Sequence, residues 1–203
     1  MKKSKKFLSG FVAAAALLIG GSLVNKTTVS AAKTPIVKKV KKTPTKKNSL
    51  ILYFSLTNTT KTAANQIHKA TGAKEIRLQP KVAYGDYDSA ARRGDNERRN
   101  DIHPALATKL PSLKKYKTIY LGFPTWWQRP PMLISTLFDT YSFKGKTIVP
   151  FTTSMETPMN ASMPYVQKMA RKDKAKEVVN GYRYNGNNKA IRNWLKRANL
   201  IKK

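Results

Sequence analysis

Cysteine is absent from the chain and histidine is scarce, which limits the chemistry that side chains could carry. Without cysteine there is no disulfide framework, no thiol nucleophile and no lipid attachment through a cysteine. His68 falls on the outer side of a predicted helix and His103 precedes a proline, and two histidines so placed do not indicate a metal site. Ser55 lies in no Gly-x-Ser-x-Gly motif, so the sequence gives little support to a serine hydrolase. Any redox chemistry must therefore come from a bound cofactor.

Acidic residues are also few, because the chain has 10 Asp and Glu against 40 Lys and Arg, a formal net charge of +30. An excess of positive charge attracts polyanions, and anionic lipid headgroups and cell-wall polymers are the candidates for an exported protein. Nucleic acid is the competing interpretation of a basic chain. No helix-turn-helix, zinc-finger or RNA-binding motif accompanies the charge, so we expect surface adhesion and no nucleic-acid partner.

A long apolar run near the N-terminus predicts export. Four lysines precede the apolar segment 7–24, and Val29-Ser30-Ala31 offers the small residues of a cleavage site, so residues 1–31 are typical of a secretory signal peptide. A retained membrane anchor is the alternative, since the run is just long enough to span a bilayer, but its glycines favour cleavage. Export without cysteine fits a bacterium with a single membrane, and we expect a secreted or cell-surface-associated protein.

The segment 32–48 is rich in Lys, Thr, Pro and Val and contains no acidic or aromatic residue. Such a segment cannot bury enough apolar surface to offset the entropy lost on ordering, so it predicts a disordered tether. We expect its lysines to adhere to an anionic cell-wall polymer or to a membrane surface.

Residues 49–203 alternate between strand-like and helix-like patterns. Regular alternation predicts one α/β domain, a doubly wound five-stranded parallel sheet with helices on both faces. Ligands bind such sheets beyond the carboxyl ends of the strands, so the loops after the first, third and fourth strands should converge on one site. Strands are expected at 49–54, 74–78, 117–123, 147–152 and 177–182, and helices at about 60–71, 88–109, 130–141, 160–170 and 187–199.

Five polar side chains follow the first strand, where a predicted helix begins. They are the hydroxyls of Ser55, Thr57, Thr59 and Thr60 and the amide of Asn58. The first amides of a helix are unsatisfied and the helix dipole places partial positive charge there, so this arrangement suits a phosphate monoester. The alternative is an ordinary helix cap by Thr57 or Asn58, but a cap needs only one such residue.

Two adjacent tryptophans follow the third strand, in the loop Pro124-Thr125-Trp126-Trp127. On a backbone stiffened by proline they would form a flat apolar wall beside a planar ligand. The alternative is that one tryptophan belongs to the core and the other shields a helix that starts at Pro130 and Pro131. The loop after the fourth strand carries Thr152, Thr153 and Ser154, and its residues alone favour a ligand loop and a polar connection equally.

These motifs resemble the flavodoxin family over nearly all of residues 49–198. The phosphate loop of that family runs approximately Ser/Thr-x-Thr-Gly-Asn-Thr, and here Asn58 and Thr59 replace the Gly and the Asn. Asn tolerates a left-handed backbone well, so the loop can keep its shape. Segments 122–127 and 150–154 are similar to Gly-Tyr-Pro-x-Trp-Trp and Pro-Phe-x-Thr-x, two flavin-contacting loops of a flavodoxin-like subfamily. The glycines that follow the second motif are missing here, so Met155 or Met159 should shape that side of the cofactor.

The resemblance implies a sheet of order 2-1-3-4-5 and FMN as the cofactor. The phosphate would lie on residues 55–60 and the ring between the loops 124–127 and 152–155, with one tryptophan facing the flavin and the other packed inward. Backbone groups at Thr125, Trp126 and Thr153 would tune the ring, and no side chain is assigned a catalytic role. The protein would carry electrons, or act as an FMN-dependent oxidoreductase on a small acceptor such as a quinone, with donor and acceptor unknown. The alternative is a wall-adherent module that has kept the fold and lost the cofactor.

Overall fold

The computed structural model describes residues 42–202. The predicted signal peptide and the first part of the predicted tether lie outside this range. Within it, no helix has both the length and the apolar character needed to cross a membrane. The last tether residues contact the domain: a short 3-10 helix, Lys46–Asn48, leads into the first strand, and the hydroxyl of Thr43 donates to Asn199 Oδ1 (2.8 Å).

The described chain forms one sheet with helices on both faces, and the predicted strand order is confirmed. The order is β2-β1-β3-β4-β5, all neighbours are parallel, and β6 pairs with β4 beyond β5. The strands are β1 Ser49–Tyr53, β2 Lys74–Arg77, β3 Thr118–Pro124, β4 Thr147–Thr153, β5 Glu177–Val178 and β6 Tyr182–Tyr184. The helices are α1 Thr59–Thr71, α2 Tyr87–Arg99, α3 Met132–Thr140, α4 Met159–Lys172 and α5 Asn188–Arg197.

Each face of the sheet has its own hydrophobic core. Successive side chains of a strand point to opposite faces, so Leu50 and Leu52 enter one core while Ile51 and Tyr53 enter the other. Helices α2, α3 and α4 cover the first core, and α1 and α5 cover the second. β1, β3 and β4 are therefore buried on both sides, as their near-continuous apolar sequences predict.

The predicted helix 88–109 is wrong in its second half, because α2 ends at Arg99. Asp101 takes a left-handed backbone (φ 51°) and the Ile102 N–H donates back to Glu97 O, which closes the helix. Pro104 then disfavours a helical backbone before it. The following residues instead pair with the segment after β2, through a bridge between Pro80 and Leu106.

The predicted fifth strand is divided into β5 and β6 by a break at Asn180 and Gly181. Ile148 pairs with Val178 and Phe151 pairs with Tyr182. Between these two pairs the edge segment of β5 and β6 therefore contains one residue more than β4. The cause lies in β4. Ile148 O accepts from Val179 N, so Pro150, two residues on, faces the same edge and has no N–H to offer there.

Candidate functional site

The loops that follow β1, β3 and β4 converge beyond the carboxyl ends of these strands. The hydroxyls of Thr60 and Thr153, both buried, are hydrogen-bonded to each other (2.8 Å). The Thr125 N–H donates to Thr153 O (2.9 Å), and the Thr125 hydroxyl bonds to that of Thr152 (2.7 Å). Four of the predicted ligand residues therefore use their side-chain hydroxyls to join the loops, and the convergence expected from the topology is present.

The loop after β1 keeps its shape with asparagine in place of glycine. Asn58 has a left-handed backbone (φ 66°) immediately before α1, and its side chain makes no capping hydrogen bond. The hydroxyls of Thr57 and Thr59 bond to each other (2.9 Å) and are exposed, whereas Ser55 is buried and its Oγ accepts from Lys61 N (3.4 Å). This geometry disfavours the simple cap by Thr57 or Asn58, and it leaves two exposed hydroxyls at a helix N-terminus.

Arg77, at the end of β2, is a site residue that sequence reasoning missed. Its guanidinium donates to Asn58 Oδ1 (2.9 Å) and to Ser55 O (2.5 Å), which fixes the loop. Its Nε is buried and has no hydrogen-bond partner among the described residues. An arginine with a spare donor beside a helix start adds a full positive charge to the partial charge of the helix. The one available signal was that β2 pairs with β1, which brings their carboxyl ends together.

The two tryptophans differ in burial. Trp126 is half-buried, and its ring meets those of Phe54 (5.6 Å) and Tyr84 (5.0 Å) edge to face. Trp127 is 43% exposed. Both border a cavity of about 260 Å³, together with Thr125 and with Leu56, Tyr87, Ala90 and Ala91. Trp126 is thus the inward-packed ring, and Trp127 is the ring that a bound planar group could cover.

Trp127 and Gln128 form the tip of a tight turn. The Trp126 N–H donates to Arg129 O (2.9 Å) and the Arg129 N–H donates to Trp126 O (3.0 Å). Both tip residues have left-handed backbones (φ 44° and 62°), a pattern that normally selects Asn and Gly. The turn therefore stores backbone strain at the edge of the cavity. Pro130 and Pro131 follow, and α3 begins at Met132 with Pro131 as its N-cap, two residues after the start predicted from the sequence.

Gly94 of α2 lets the helix pass close beneath the tryptophans. A Cβ atom at this position would lie 3.0 Å from Trp126 Cε3 and 3.1 Å from Trp127 Cζ3. Above the next turn, the Arg98 guanidinium lies 5.8 Å from the centre of the Trp127 ring. Sequence reasoning missed Gly94 because a glycine inside a polar helical segment gives no local sign of what it faces.

A buried acid supports Trp126 from behind. The carboxylate is that of Glu97 in α2, which is only 3% exposed. It accepts from the Tyr84 hydroxyl (2.8 Å) and from Arg93 Nε (2.7 Å), and Arg93 also lies over the Tyr84 ring. Burial, and then the hydrogen bond to Glu97, raises the pKa of Tyr84. Tyr84 thus stays a neutral donor and holds a fixed wall for the tryptophan.

The third loop is fastened by a residue of the edge strand. Arg183 of β6 donates to Ser154 O (3.1 Å) and Met155 O (2.8 Å), and Ser154 Oγ accepts from Thr157 N (2.9 Å). Met155 is 96% exposed, whereas Met159 is buried at the start of α4. Of the two methionines expected on this side, only Met155 is available to a ligand. The predicted tuning groups are engaged within the protein: Thr125 N–H with Thr153 O, and Trp126 N–H with Arg129 O.

A doubly wound parallel sheet of this order, with its loops gathered at one end, defines the flavodoxin-like class of α/β proteins. The family model for flavodoxin matches residues 48–198. The chain therefore belongs to the flavodoxin family.

Solved structures agree with this assignment. A protein from Bacteroides uniformis assigned as a flavoprotein is 32% identical over 73% of this chain and 97% of its own (TM-score 0.66). A corresponding protein from Bacteroides eggerthii is 31% identical over 73% and 95% (TM-score 0.64). A flavoprotein from Lactobacillus acidophilus, solved in complex with FMN, is 24% identical over 74% and 99% (TM-score 0.58) and shares the fold. A search of curated proteins gave no match.

Proposed function

We propose that this protein binds FMN and carries electrons, or reduces a small acceptor such as a quinone, at the cell surface. One observation carries the proposal: exposed hydroxyls, a helix N-terminus and Arg77 lie together beside a cavity bordered by two tryptophans. A phosphate needs the first set and a flat ring needs the second. The FMN complex of the Lactobacillus acidophilus flavoprotein, which shares the fold, supports the same cofactor.

The donor set fits a phosphate monoester. Thr57 and Thr59 offer exposed hydroxyls, and the first amides of α1 and the Arg77 guanidinium supply positive potential without crowding. Ser55 and Thr60 lie beneath, where they brace the loop rather than face solvent. The phosphate would thus be held mainly by residues 57–59, with Arg77 behind them.

The ring would lie against Trp127, on the side of the cavity that the loops 124–127 and 152–155 border. Bound flavin supplies the redox chemistry, and the chain binds, orients and shields it. Trp126, fixed by Tyr84 and Gly94, backs the wall, and Met155 is exposed on the facing loop. Stacked aromatic surface excludes water from one face of the ring while its edge stays open to an acceptor.

The reaction itself is tested with the FMN-loaded full chain under anaerobic conditions. The bound flavin is reduced chemically and mixed with a soluble quinone, and its reoxidation is followed by absorbance. We expect reoxidation whose rate rises with the quinone concentration, because one edge of the ring stays open to the acceptor. A bound flavin that remains reduced in excess quinone would contradict the redox role.

A wall-adherent module without cofactor is the second candidate. It is favoured by the loop after β4, which has no glycine between Ser154 and Ser162 and whose Thr153 is already bonded to Thr60. Side chains in that loop restrict the approach of a ring. A chain that fails to bind FMN yet remains attached to cells would support this candidate.

We also propose that the chain is exported and that its Lys-rich tether adheres to an anionic cell-wall polymer or a membrane surface. The basis is compositional: a net charge of +30 and a tether without acidic residues. Because exposed charges are screened by salt, a salt titration of cell association is the test. Release at high salt is expected, and retention unchanged in high salt would remove the electrostatic account.

A further inference from the structure

Six lysines surround two adjoining grooves at the end of the sheet opposite the tryptophans. The grooves have volumes of about 590 and 330 Å³, and both are bordered by Lys117 and Gly145. We call this surface the lysine face, and its lysines are Lys42, Lys114, Lys117, Lys144, Lys146 and Lys176. Glu177 is the one acid that borders either groove, and its carboxylate accepts from the Thr147 hydroxyl (3.0 Å).

The lysine face lies at the amino ends of β3 and β4, which begin at Thr118 and Thr147. Each of these strands has seven residues, so the lysine face lies about 20 Å along the strands from the loops 124–127 and 152–155. Lys42, the first described residue, borders the second groove, so the tether joins the domain at this same end.

The charge of the lysine face is not balanced within the domain. In residues 42–202 the ion pairs lie on α2 and around Asp139, and none of the six lysines takes part in one. Six cations at close spacing repel one another, and a bound polyanion would relieve that repulsion. The scaffold beneath is fixed by backbone bonds, from Thr147 N to Lys117 O (2.8 Å) and from Lys176 N to Lys146 O (2.9 Å).

Lys146 shows that the lysine face is built rather than incidental. It is 7% exposed, and its ammonium donates to Leu113 O (2.7 Å) and Tyr116 O (2.8 Å), which leaves one of its three N–H groups. Burial, and then the charge of Lys117, lowers its pKa, and Asp173 acts in the opposite direction. A buried ammonium without an ion-pair partner is costly, so this groove favours an anion.

We propose that the lysine face binds a linear polymer of repeating phosphate groups, of the poly(glycerol phosphate) type. The large apolar side chains exposed in residues 42–202 lie elsewhere, so the lysine face has no wedge to insert into lipid. The same distribution leaves it without an exposed ring for base stacking. A flexible phosphate chain needs only the spaced cations of two joined grooves.

This polymer would hold the domain by the end away from its cofactor loops. The tryptophans would then face outward, toward a soluble partner, while the tether and the lysine face grip the same polymer. The inference does not depend on FMN, since the two ends of the sheet share no residue.

The test compares two triple variants of the full chain with equal loss of charge. One is Lys114→Gln, Lys117→Gln and Lys144→Gln, and the control is Lys81→Gln, Lys168→Gln and Lys189→Gln. All six residues are exposed, so folding should be retained, and circular dichroism checks this. Binding of purified poly(glycerol phosphate) is measured over a range of salt concentrations.

We expect the first triple to bind about tenfold or more weakly, and its slope of log K against log salt to fall by about 2, since each lost phosphate contact removes roughly 0.7. The control triple should keep the slope, and replacing the three face lysines by arginine should restore binding. Equal losses in both triples would overturn the proposal, because binding would then follow net charge alone. The binding of duplex DNA and of anionic vesicles is measured with the same variants. If the first triple loses more affinity for either of these than for the polymer, the assigned ligand class is overturned.

Discussion

Arg77 fixes the loop after β1 from the neighbouring strand β2. A glycine at position 58 would adopt the left-handed backbone unaided, but Asn58 brings an amide that Arg77 then holds. The same guanidinium fixes Ser55 O, so one side chain positions both ends of the loop and supplies its charge. That combination suits a doubly charged phosphate without a lysine in the loop.

We predict that Arg77→Met weakens FMN binding by about 10- to 100-fold, the value of one charge-assisted hydrogen bond of roughly 1.5–3 kcal/mol. Riboflavin, which lacks the phosphate, should bind the variant and the parent chain equally. Fluorescence titrations with both ligands make the measurement, and Lys81→Met serves as a charge-matched control. An equal loss for riboflavin would show that Arg77 supports the loop and not the phosphate.

The turn tip offers a test of local strain. Gln128 has a left-handed backbone, and such a conformation costs a non-glycine residue about 1–2 kcal/mol. Glycine relieves this strain but loses more conformational entropy on folding than glutamine does, which offsets part of the gain. Gln128→Gly should therefore raise the free energy of unfolding by about 0.5–1 kcal/mol. Urea denaturation measures it. The same change in α4, Gln167→Gly, should lower stability by about 1 kcal/mol, and a loss at both positions would refute the strain.

At the scale of elements, helix α2 positions the rings of Trp126 and Trp127. The helix begins with the Asp86 cap, turns Gly94 toward the loop after β3, and buries Glu97 against Tyr84. The sequence predicted a helix here but not its end, because polar residues beyond Arg99 continue a helix-like pattern. Which groups α2 packs against depends on tertiary contacts, and these cannot be inferred from the local sequence pattern.

We predict that Gly94→Leu disrupts the ring site and spares the phosphate loop. The added side chain would displace both tryptophans, so FMN and riboflavin should both bind at least about tenfold more weakly, as expected when a contact surface is overpacked. Asn96→Leu, on the exposed side of α2, is the control and should bind both ligands normally. A variant that keeps riboflavin affinity would show that the tryptophans do not border the ring.

At the scale of the whole molecule, the topology and the site loops were predictable, whereas the braces between them were not. Alternating strand and helix patterns predicted the parallel sheet, and the resemblance to flavodoxins supplied its strand order. Because ligands bind such sheets beyond the carboxyl ends of the strands, three loops were expected to meet there. Arg77 and Arg183 reach those loops from neighbouring strands, and the divided edge follows from Pro150 in the strand beside it. These are contacts across the sheet, which residue spacing along the chain does not reveal.

Buried and half-buried tyrosines couple the stability of the protein to alkaline pH. Burial is the main cause that raises the pKa of Tyr53, Tyr84, Tyr120 and Tyr182. Above about pH 10 the unfolded chain loses these protons while the folded chain keeps them, so stability present below pH 10 falls as pH rises. Urea denaturation across this range should show the decline, with a smaller slope in Tyr120→Phe. An equal slope in that variant would contradict the role of burial.

The two ends of the domain in residues 42–202 differ: the two tryptophans border a cavity at one end, and the lysine face lies at the other. Binding of FMN at the first end is the central proposal. Titrating FMN with the full chain and following flavin fluorescence tests it most directly. We predict quenching that saturates at one flavin per chain, because the ring would lie against Trp127, and the protein should then carry flavin absorbance through gel filtration. Undiminished fluorescence, together with a colourless protein peak, would contradict the account.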